Sequence, residues 1–482
     1  MKIKYLYTAL ALAGTIGFTS CNDFLDVRPD SEKLESDLFS KPAGYESAIY
    51  GVYGSMHSTR LYGQDMAWGL TDVMAQDYDR NSTTYRDLAN FKYNNSNVQT
   101  KFSDLWSTAY TCIGYANNVL KNLEGKSEKD LPLYNLYKGE MLAVRALIHF
   151  DLLRLFCSTD EQASGIPYST TYSQKVNDFR KVGEVYTLIL ADLDEAEKLL
   201  ESEKDNIKYP HDNAQYYKFQ NYRETHMNYY AVLALKARVY WMRGDMENAG
   251  KYAAMVIDSK KFPLADPTEV KDLFAGKLSD KETLFGLYST TANETAETYL
   301  YNYDSYSTYN PFTNASGKTY KQPYDAIYKL DVDATAQDYR TGWFKQATGY
   351  ARCLKVVDYH SIENTNTTAW DERISGINVM HVSEMYLIAA EAYLETDYTR
   401  ALGYFNAETS SRGLAPVKSG VTLTKDMIFN EYHKEMYGEG QVWFNMKRLN
   451  KDVVSNVNNR TIPASENVYV VPIPQTEYDY RN

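Results

Sequence analysis

One helical hairpin constrains the fold more than any other stretch of the chain. Residues 229–257 carry apolar side chains three or four positions apart, which is the spacing of amphipathic helices. Gly244 and Asp245 interrupt that pattern, because glycine is unfavourable inside a helix, and a second apolar stripe follows them at once. Two short helices on a tight turn cannot bury both stripes alone, so the hairpin predicts further helices stacked against it.

A second hairpin with the same pattern occupies residues 385–402. When Ala389 is aligned with Ala237, Asp397 falls on Asp245 without a gap. A small residue in the first helix, a tight turn and an alanine early in the second helix are features of tetratricopeptide repeats. The two copies therefore predict a mainly α protein with a tetratricopeptide-like helical-repeat scaffold. The alternative is a pair of ordinary helical hairpins.

Other helical segments surround a stretch of different character. Further helices are predicted at residues 41–56, 102–123, 136–156 and 182–201. Residues 81–100 are polar and aperiodic, which predicts a surface loop. Residues 262–378 carry prolines, clustered tyrosines and short alternating runs such as 283–288, so they predict an irregular insertion rich in loops and short strands. The helical pattern resumes at Val379, and the proline-containing residues 464–482 predict an extended tail.

The N-terminus has the features of an exported lipoprotein. Lys2 and Lys4 precede a short apolar run, and residues 18–21 resemble a bacterial lipoprotein cleavage site. We therefore predict a signal peptide at 1–20 and a lipid anchor on Cys21, the alternative being an ordinary secretory signal. No later run approaches the length of a membrane-spanning helix, so the only membrane contact predicted is the lipid.

Composition and missing motifs exclude several functions. The net charge of −12 argues against a nucleic-acid-binding protein, which needs a basic face. Cys112, Cys157 and Cys353 are widely spaced and odd in number, which predicts buried free thiols. Neither Gly-x-Ser-x-Gly nor His-Glu-x-x-His occurs, and the histidines show no ligand spacing. The sequence therefore predicts a protein that is not an enzyme and holds no metal or cofactor.

Short motifs along the whole chain carry a family resemblance. They lie at residues 21–26, 145–154, 165–167, 237–245, 383–392, 439–448 and 469–475. In this order and spacing they make the chain resemble the SusD/RagB outer-membrane nutrient-binding lipoproteins of the Bacteroidetes. Most of these motif residues are predicted to be structural: Trp443 and Phe444 belong in the core, whereas Arg145 and Arg448 pair with buried acids or helix ends.

The resemblance implies a domain organisation and a function. It implies a single SusD-like domain over 21–482, with a scaffold at 36–261 and 379–450, the insertion at 262–378 and the tail at 464–482. Such proteins lie on the outer-membrane surface and capture oligosaccharides for a SusC-like TonB-dependent transporter. RagB-like relatives handle peptides, so a peptide ligand stays open. A tetratricopeptide-type assembly scaffold is a third possibility, which the long tyrosine-rich insertion disfavours.

Two aromatic loop regions are the candidates for the ligand site. Sugars bind to flat aromatic faces, with polar groups on their hydroxyls, so the site needs exposed Trp or Tyr on loops. Residues 68–86 and 288–343 fit, and the chain as a whole has 45 Tyr against 17 Phe. The predicted ligand-binding residues are Trp68, Asp72, Tyr78, Tyr299, Tyr303, Tyr306, Tyr309 and Trp343. For any single tyrosine, the alternative is packing between loop and scaffold.

Overall fold

The computed structural model describes most of the chain as two units. The residues described are 30–80, 83–173, 175–207, 219–301, 309–311, 328, 338–347, 350–454, 460–479 and 481. By internal contacts the units are Met1–Ser47 and Ala48–Asn482. Helix α1 (Asp30–Leu38) belongs to the first unit, and α2 (Pro42–Met56) begins in it and continues into the second. Cys21 lies outside the described residues, and the predicted domain boundaries stay a prediction.

The second unit is built on a stack of helices. Those before the insertion are α3 (Leu70–Met74), α4 (Thr83–Ala89), α5 (Ser96–Leu123), α6 (Tyr134–Phe156), α7 (Val182–Leu200), α8 (Tyr229–Arg243) and α9 (Met246–Asp258). From α5 to α9, each helix packs on the next one in the chain. Helix α6 is buried on nearly all sides, which fits a helix between two packed neighbours.

Both predicted hairpins are present, and they pack on each other. Helices α8 and α9 are joined at Gly244, whose φ of +86° suits a residue without a side chain. Asp245 caps α9 by accepting a hydrogen bond from the amide of Asn248 at 3.1 Å. In the second hairpin, Asp397 plays the same part, and the hairpin consists of α13 (Val382–Tyr393) and α14 (Tyr398–Ser411). Helix α9 packs directly on α13, so the predicted helical-repeat scaffold is confirmed.

The insertion contains short elements and its own strand pairs. They are β4 (Thr283–Tyr288), α10 (Ala292–Ala296), β5 (Tyr309–Pro311), β6 (Phe344–Ala347), β7 (Tyr350–Cys353), α11 (Tyr359–Ile362), α12 (Thr368–Asp371) and β8 (Gly376–His381). Strand β4 is antiparallel to β8, with Tyr288 opposite Gly376, and β6 is antiparallel to β7. The strand predicted at 283–288 is confirmed with the same bounds.

The remaining elements lie between the scaffold helices or follow them in the chain. They are β1 (Tyr78–Arg80), β2 (Ser164–Pro167), β3 (Phe179–Lys181), α15 (Lys425–Glu435), α16 (Val442–Arg448), β9 (Val453–Val454), β10 (Thr461–Ile462), α17 (Glu466–Tyr469) and α18 (Gln475–Asp479). Strands β2 and β3 pair with each other, as do β9 and β10. In the part of the chain that the structure describes, no helix has the length and apolar character needed to cross a membrane.

Two local predictions are wrong. Residues 81–100 were expected to form a loop, but they hold α4 and the first turn of α5. Within 84–89, the part of α4 whose side chains the structure describes, only Tyr85, Leu88 and Ala89 are buried, so the apolar stripe is too short to show as periodicity. The tail at 464–482 contains α17 and α18, and Tyr93 donates a hydrogen bond to the carbonyl of Val468 at 2.6 Å. Such long-range contacts are not visible in a local pattern.

The structural roles expected for the motif residues are confirmed. Trp443 and Phe444 are buried, and the three cysteines of the described chain are buried free thiols. Arg145 forms a bidentate pair with Asp192, with both bonds at 2.7 Å. Arg448 contacts Glu391 at 2.7 Å. A buried guanidinium needs a partner, so these arginines have a structural role in the fold.

Candidate ligand-binding site

The two aromatic loop regions meet in the structure. Strand β1 is antiparallel to β5, so Arg80 lies opposite Tyr309 and Tyr78 opposite Pro311. Beside this pair, the rings of Trp68 and Tyr299 lie 6.1 Å apart between centroids. We call this region, made of Trp68, Tyr299, β1 and β5, the loop junction. Regions more than 200 residues apart in the chain thus lie next to each other.

Four of the predicted site residues are buried, and their expected exposure is wrong. Trp68, Asp72, Tyr78 and Trp343 are between 0 and 4% exposed. Trp343 donates its indole N–H to the carbonyl of Val270 at 2.7 Å, and the Lys355 ammonium lies 4.4 Å from its ring centroid. An indole held in this way fills the core under the insertion, and it offers no face to a sugar.

Asp72 organises backbone instead of facing solvent. Its carboxyl accepts hydrogen bonds from the amides of Gly438 at 2.8 Å and Gly440 at 2.9 Å, and from the Tyr78 hydroxyl at 3.3 Å. Burial and then the charge of Asp77 raise the pKa of Asp72 well above its usual value. A Cβ at Gly440 would lie 2.3 Å from the carbonyl oxygen of Met66, so the close approach requires glycine. Asp72 therefore joins α3 to the turn before α16.

The structure describes the other predicted tyrosines to different extents. Tyr299 is half-buried beside Trp68. Tyr309 lies in β5, where the structure describes its backbone pairing, and its side chain is outside the described part. Tyr303 and Tyr306 lie outside the described residues. Ligand contact by any of these tyrosines stays a prediction.

A group of charged side chains near the loop junction was not predicted. The Arg352 guanidinium lies 4.7 Å from the ring centroid of Tyr301. Tyr301 donates its hydroxyl hydrogen to Glu363, which also pairs with Lys345 at 2.6 Å. Hydrogen bonds from Lys345 and then Tyr301 lower the pKa of Glu363 below its usual value. The alternating residues of the β6–β7 hairpin are the one sequence signal that could have identified Lys345 and Arg352.

One buried cluster has the residue types of a metal site. Glu282, His381 and Glu435 place ligand atoms within 4.8 Å of one another. Arg412, however, forms bidentate pairs with both carboxylates at 2.7–2.9 Å, and all four of these oxygens accept its N–H groups. The guanidinium supplies the positive charge that a cation would bring, so the geometry indicates an ion-pair cluster.

Comparisons with known proteins agree with this architecture. A SusD-like family model, described as "Starch-binding associating with outer membrane", matches residues 23–241. SusD-like protein P38 of Formosa agariphila is 23% identical, covering 95% of each chain.

Solved structures show the same fold. A SusD superfamily protein from Bacteroides thetaiotaomicron has a TM-score of 0.72 and 23% identity, covering 91% of this chain and 98% of its own. A SusD-like carbohydrate-binding protein from Bacteroides vulgatus has a TM-score of 0.69 and 20% identity, covering 91% and 96%. A laminarin-binding SusD-like protein has a TM-score of 0.65 and 18% identity, covering 90% and 97%. The SusD-like family model thus matches residues 23–241, and the fold of the SusD superfamily structures is shared along most of the chain.

Proposed function

We propose that this protein is a lipid-anchored, cell-surface glycan-binding protein that captures an oligosaccharide and delivers it to a SusC-like TonB-dependent transporter. The observation that carries the proposal is that the two aromatic loop regions, 68–86 and 288–343, meet at the β1–β5 pair. The family's description and the names of two similar structures support a carbohydrate ligand. The role is binding without catalysis, and it requires no cofactor.

The residues divide into a support and a contact surface. Buried Trp68, Asp72 and Tyr78 hold the loop junction to the helical scaffold. Tyr299, which is half-buried, stands at the edge of that support and leads into the tyrosine-rich segment after it. Aromatic faces supply affinity for the C–H surfaces of sugars, and nearby charged groups such as Glu363 orient the hydroxyls.

Removing the loop tyrosines should weaken glycan binding. The triple variant Tyr299→Ala, Tyr303→Ala, Tyr306→Ala should bind about tenfold more weakly or worse, because truncating one aromatic anchor can remove roughly 2 kcal/mol. Isothermal titration calorimetry with a panel of oligosaccharides, including maltoheptaose and laminarihexaose, measures the loss. Trp343 is left intact, since removing this buried indole would test stability.

A matched control separates binding from general surface change. Tyr115 on α5 is 47% exposed and lies in neither loop region, so Tyr115→Ala should bind as the wild type does. Wild-type affinity in the folded triple variant would place the ligand site elsewhere. Binding of peptides and of no glycan by the wild type would favour the RagB-like alternative.

The proposed anchor has its own test. Cys21→Ala should release the protein from the membrane fraction, because the acyl chains on this cysteine would hold the protein in the lipid. The matched control is Cys112→Ala, which removes a buried thiol and should leave the protein in the membrane. Fractionation followed by immunoblotting reads out both variants. Retention of the Cys21→Ala protein would contradict the lipid anchor.

A further inference from the structure

A cleft lies in the second unit, apart from the loop junction. It has a volume of about 800 Å³ and is formed by the end of α2, the turn before α8 and the end of the β4–β8 pair. Among the described residues, it shares no lining side chain with the loop junction as defined above. Its volume is in the range of sites that hold small-molecule ligands.

Two tyrosines on different elements bring exposed aromatic surface to this cleft. Tyr288 at the end of β4 is 61% exposed, and Tyr50 on α2 is 49% exposed. The Tyr50 ring is positioned by Phe219 and His226, whose ring centroids lie 5.6 and 5.7 Å away. A half-exposed ring packed against two neighbouring rings offers a fixed apolar surface to a ligand.

The side chains beneath Tyr50 are fixed by buried hydrogen bonds. The Tyr53 hydroxyl donates to Glu140 at 2.8 Å and accepts from the amide of Met227 at 2.9 Å. His226 contacts the same carboxylate through Nδ1 at 2.9 Å, and Arg223 pairs with it at 2.7 Å. A cleft whose walls are already ordered loses little conformational entropy when it binds a ligand.

Two buried donors in the cleft lining lack partners. Within the described part of the chain, Asn221 Nδ2 and Arg373 Nε make no hydrogen bond. The other guanidinium nitrogens of Arg373 donate to carbonyl oxygens, among them that of Leu273 at 2.7 Å, which fixes this side chain. Unpaired buried donors cost free energy, and a ligand hydroxyl that reaches Asn221 after a small rotation of its side chain would remove that cost.

The charge at the cleft edge narrows the ligand class. Asp371 and Glu372 are exposed, and both line the cleft. Arg373 lies next to them, but its guanidinium is engaged with backbone carbonyls and with the Trp370 ring at 4.7 Å. Two exposed carboxylates against this one guanidinium give the edge a net negative charge, which disfavours uronic acids and sulfated sugars. Aromatic surface, amide groups and an acidic edge suit a neutral, hydroxyl-rich ligand.

We propose that this cleft is a second binding site, which takes a neutral oligosaccharide on Tyr50 and Tyr288. The choice of a sugar rests on the proposed function, whereas the location rests on the cleft itself. Two sites on one chain would let a long polymer be held at two points. Once the polymer is held at one site, its effective concentration at the other site is raised, which strengthens binding there.

Hydrogen exchange measured by mass spectrometry locates each site separately. The detergent-solubilised full chain is mixed with saturating maltoheptaose or laminarihexaose. Slower exchange in peptides covering 219–228 and 371–376 is expected for the cleft, and slower exchange in peptides covering 77–86 and 299–311 reports the loop junction. Protection at the loop junction alone would overturn the second site and leave the proposed function standing. Protection at the cleft alone would support this site and overturn the loop junction as the place of glycan binding, and protection at neither would overturn both sites.

A pair of substitutions supplies the independent measurement. In the double variant Tyr50→Ala, Tyr288→Ala, protection of the cleft should vanish, and calorimetry should show loss of one binding event or about tenfold weaker binding in it. Both side chains are half-exposed or more, so the fold should survive, which circular dichroism checks. Tyr50→Phe, Tyr288→Phe keeps the rings and should retain binding. Unchanged cleft protection in the alanine double variant would overturn the proposal.

Discussion

Replacing Arg412 with methionine is expected to lower the free energy of unfolding by about 3–5 kcal/mol. Arg412 is fully buried and joins Glu282 of the insertion to Glu435 of α15. Methionine has a similar length but no charge, so Glu282 would lose its guanidinium partner and Glu435 would keep only that of Arg340, at 3.2 Å. Urea unfolding followed by circular dichroism measures the loss.

A surface pair provides the control for this prediction. Arg243 contacts Glu161 at 2.6 Å, but the two side chains are 31% and 39% exposed. Because water screens such a pair, Arg243→Met should cost about 1 kcal/mol or less. Equal losses in the two variants would show that the buried cluster is no more important than a surface contact.

The pH dependence of the Arg412 variant gives a second readout. Burial alone would raise the pKa of the Glu435 carboxyl, but Arg412 holds it well below the usual 4.5. A group with a depressed folded pKa stabilises the protein above its unfolded pKa, and that contribution is lost as the pH falls through the folded value. In Arg412→Met the opposing charge is reduced, so the pKa of Glu435 rises. The deficit relative to wild type should be largest near neutral pH and should narrow as the pH falls through the raised pKa of Glu435 in the variant towards the lower wild-type value. A deficit that does not change with pH would contradict this account.

Gly244→Pro should cost about 3 kcal/mol or more, because two requirements of the turn fail together. Proline fixes φ near −65°, whereas Gly244 has φ +86°. Proline also lacks the amide hydrogen that Gly244 donates to the carbonyl of Trp241 at 3.1 Å. Since α8 and α9 pack on each other and on the next hairpin, a lost turn weakens the centre of the stack. Thermal and urea unfolding measure the effect.

Two alanine variants bracket the backbone effect. Gly244→Ala should cost about 1 kcal/mol, the penalty for a side chain in the left-handed region. Gly403→Ala should be neutral or slightly stabilising, because Gly403 lies inside α14 and an added Cβ meets no atom within 4 Å. If Gly244→Pro has the same free energy of unfolding as Gly403→Ala, the conformation of Gly244 in the turn does not contribute to stability.

The sequence alone determined the scaffold. Helical periodicity and the shared Asp at positions 245 and 397 are local signals, because a helix repeats its contacts every few residues and its cap is read from one side chain. The same locality identified β4 at 283–288, where residues of high β propensity cluster. It also identified Trp443 as a core residue and the motif arginines as partners of buried acids, because these residues lie in segments with a helical pattern.

Only the tertiary structure decided which aromatic residues are exposed. Trp68, Tyr78 and Trp343 lie in aperiodic, tyrosine-rich stretches, and nothing local distinguishes them from Tyr288, yet they are buried and Tyr288 is not. Their burial depends on partners far away in the chain, such as the carbonyl of Val270 for Trp343.

The same reason explains the places of Asp72 and Tyr50. The carboxylate of Asp72 was read as a ligand group, but it binds amides at Gly438 and Gly440, more than 360 residues further on. Tyr50 lies within the helix predicted at 41–56, and its place in a cleft follows from the turn before α8 and the end of β4, which line the same cleft. Local periodicity records which residues share a face, whereas exposure is set by whichever distant segment covers that face.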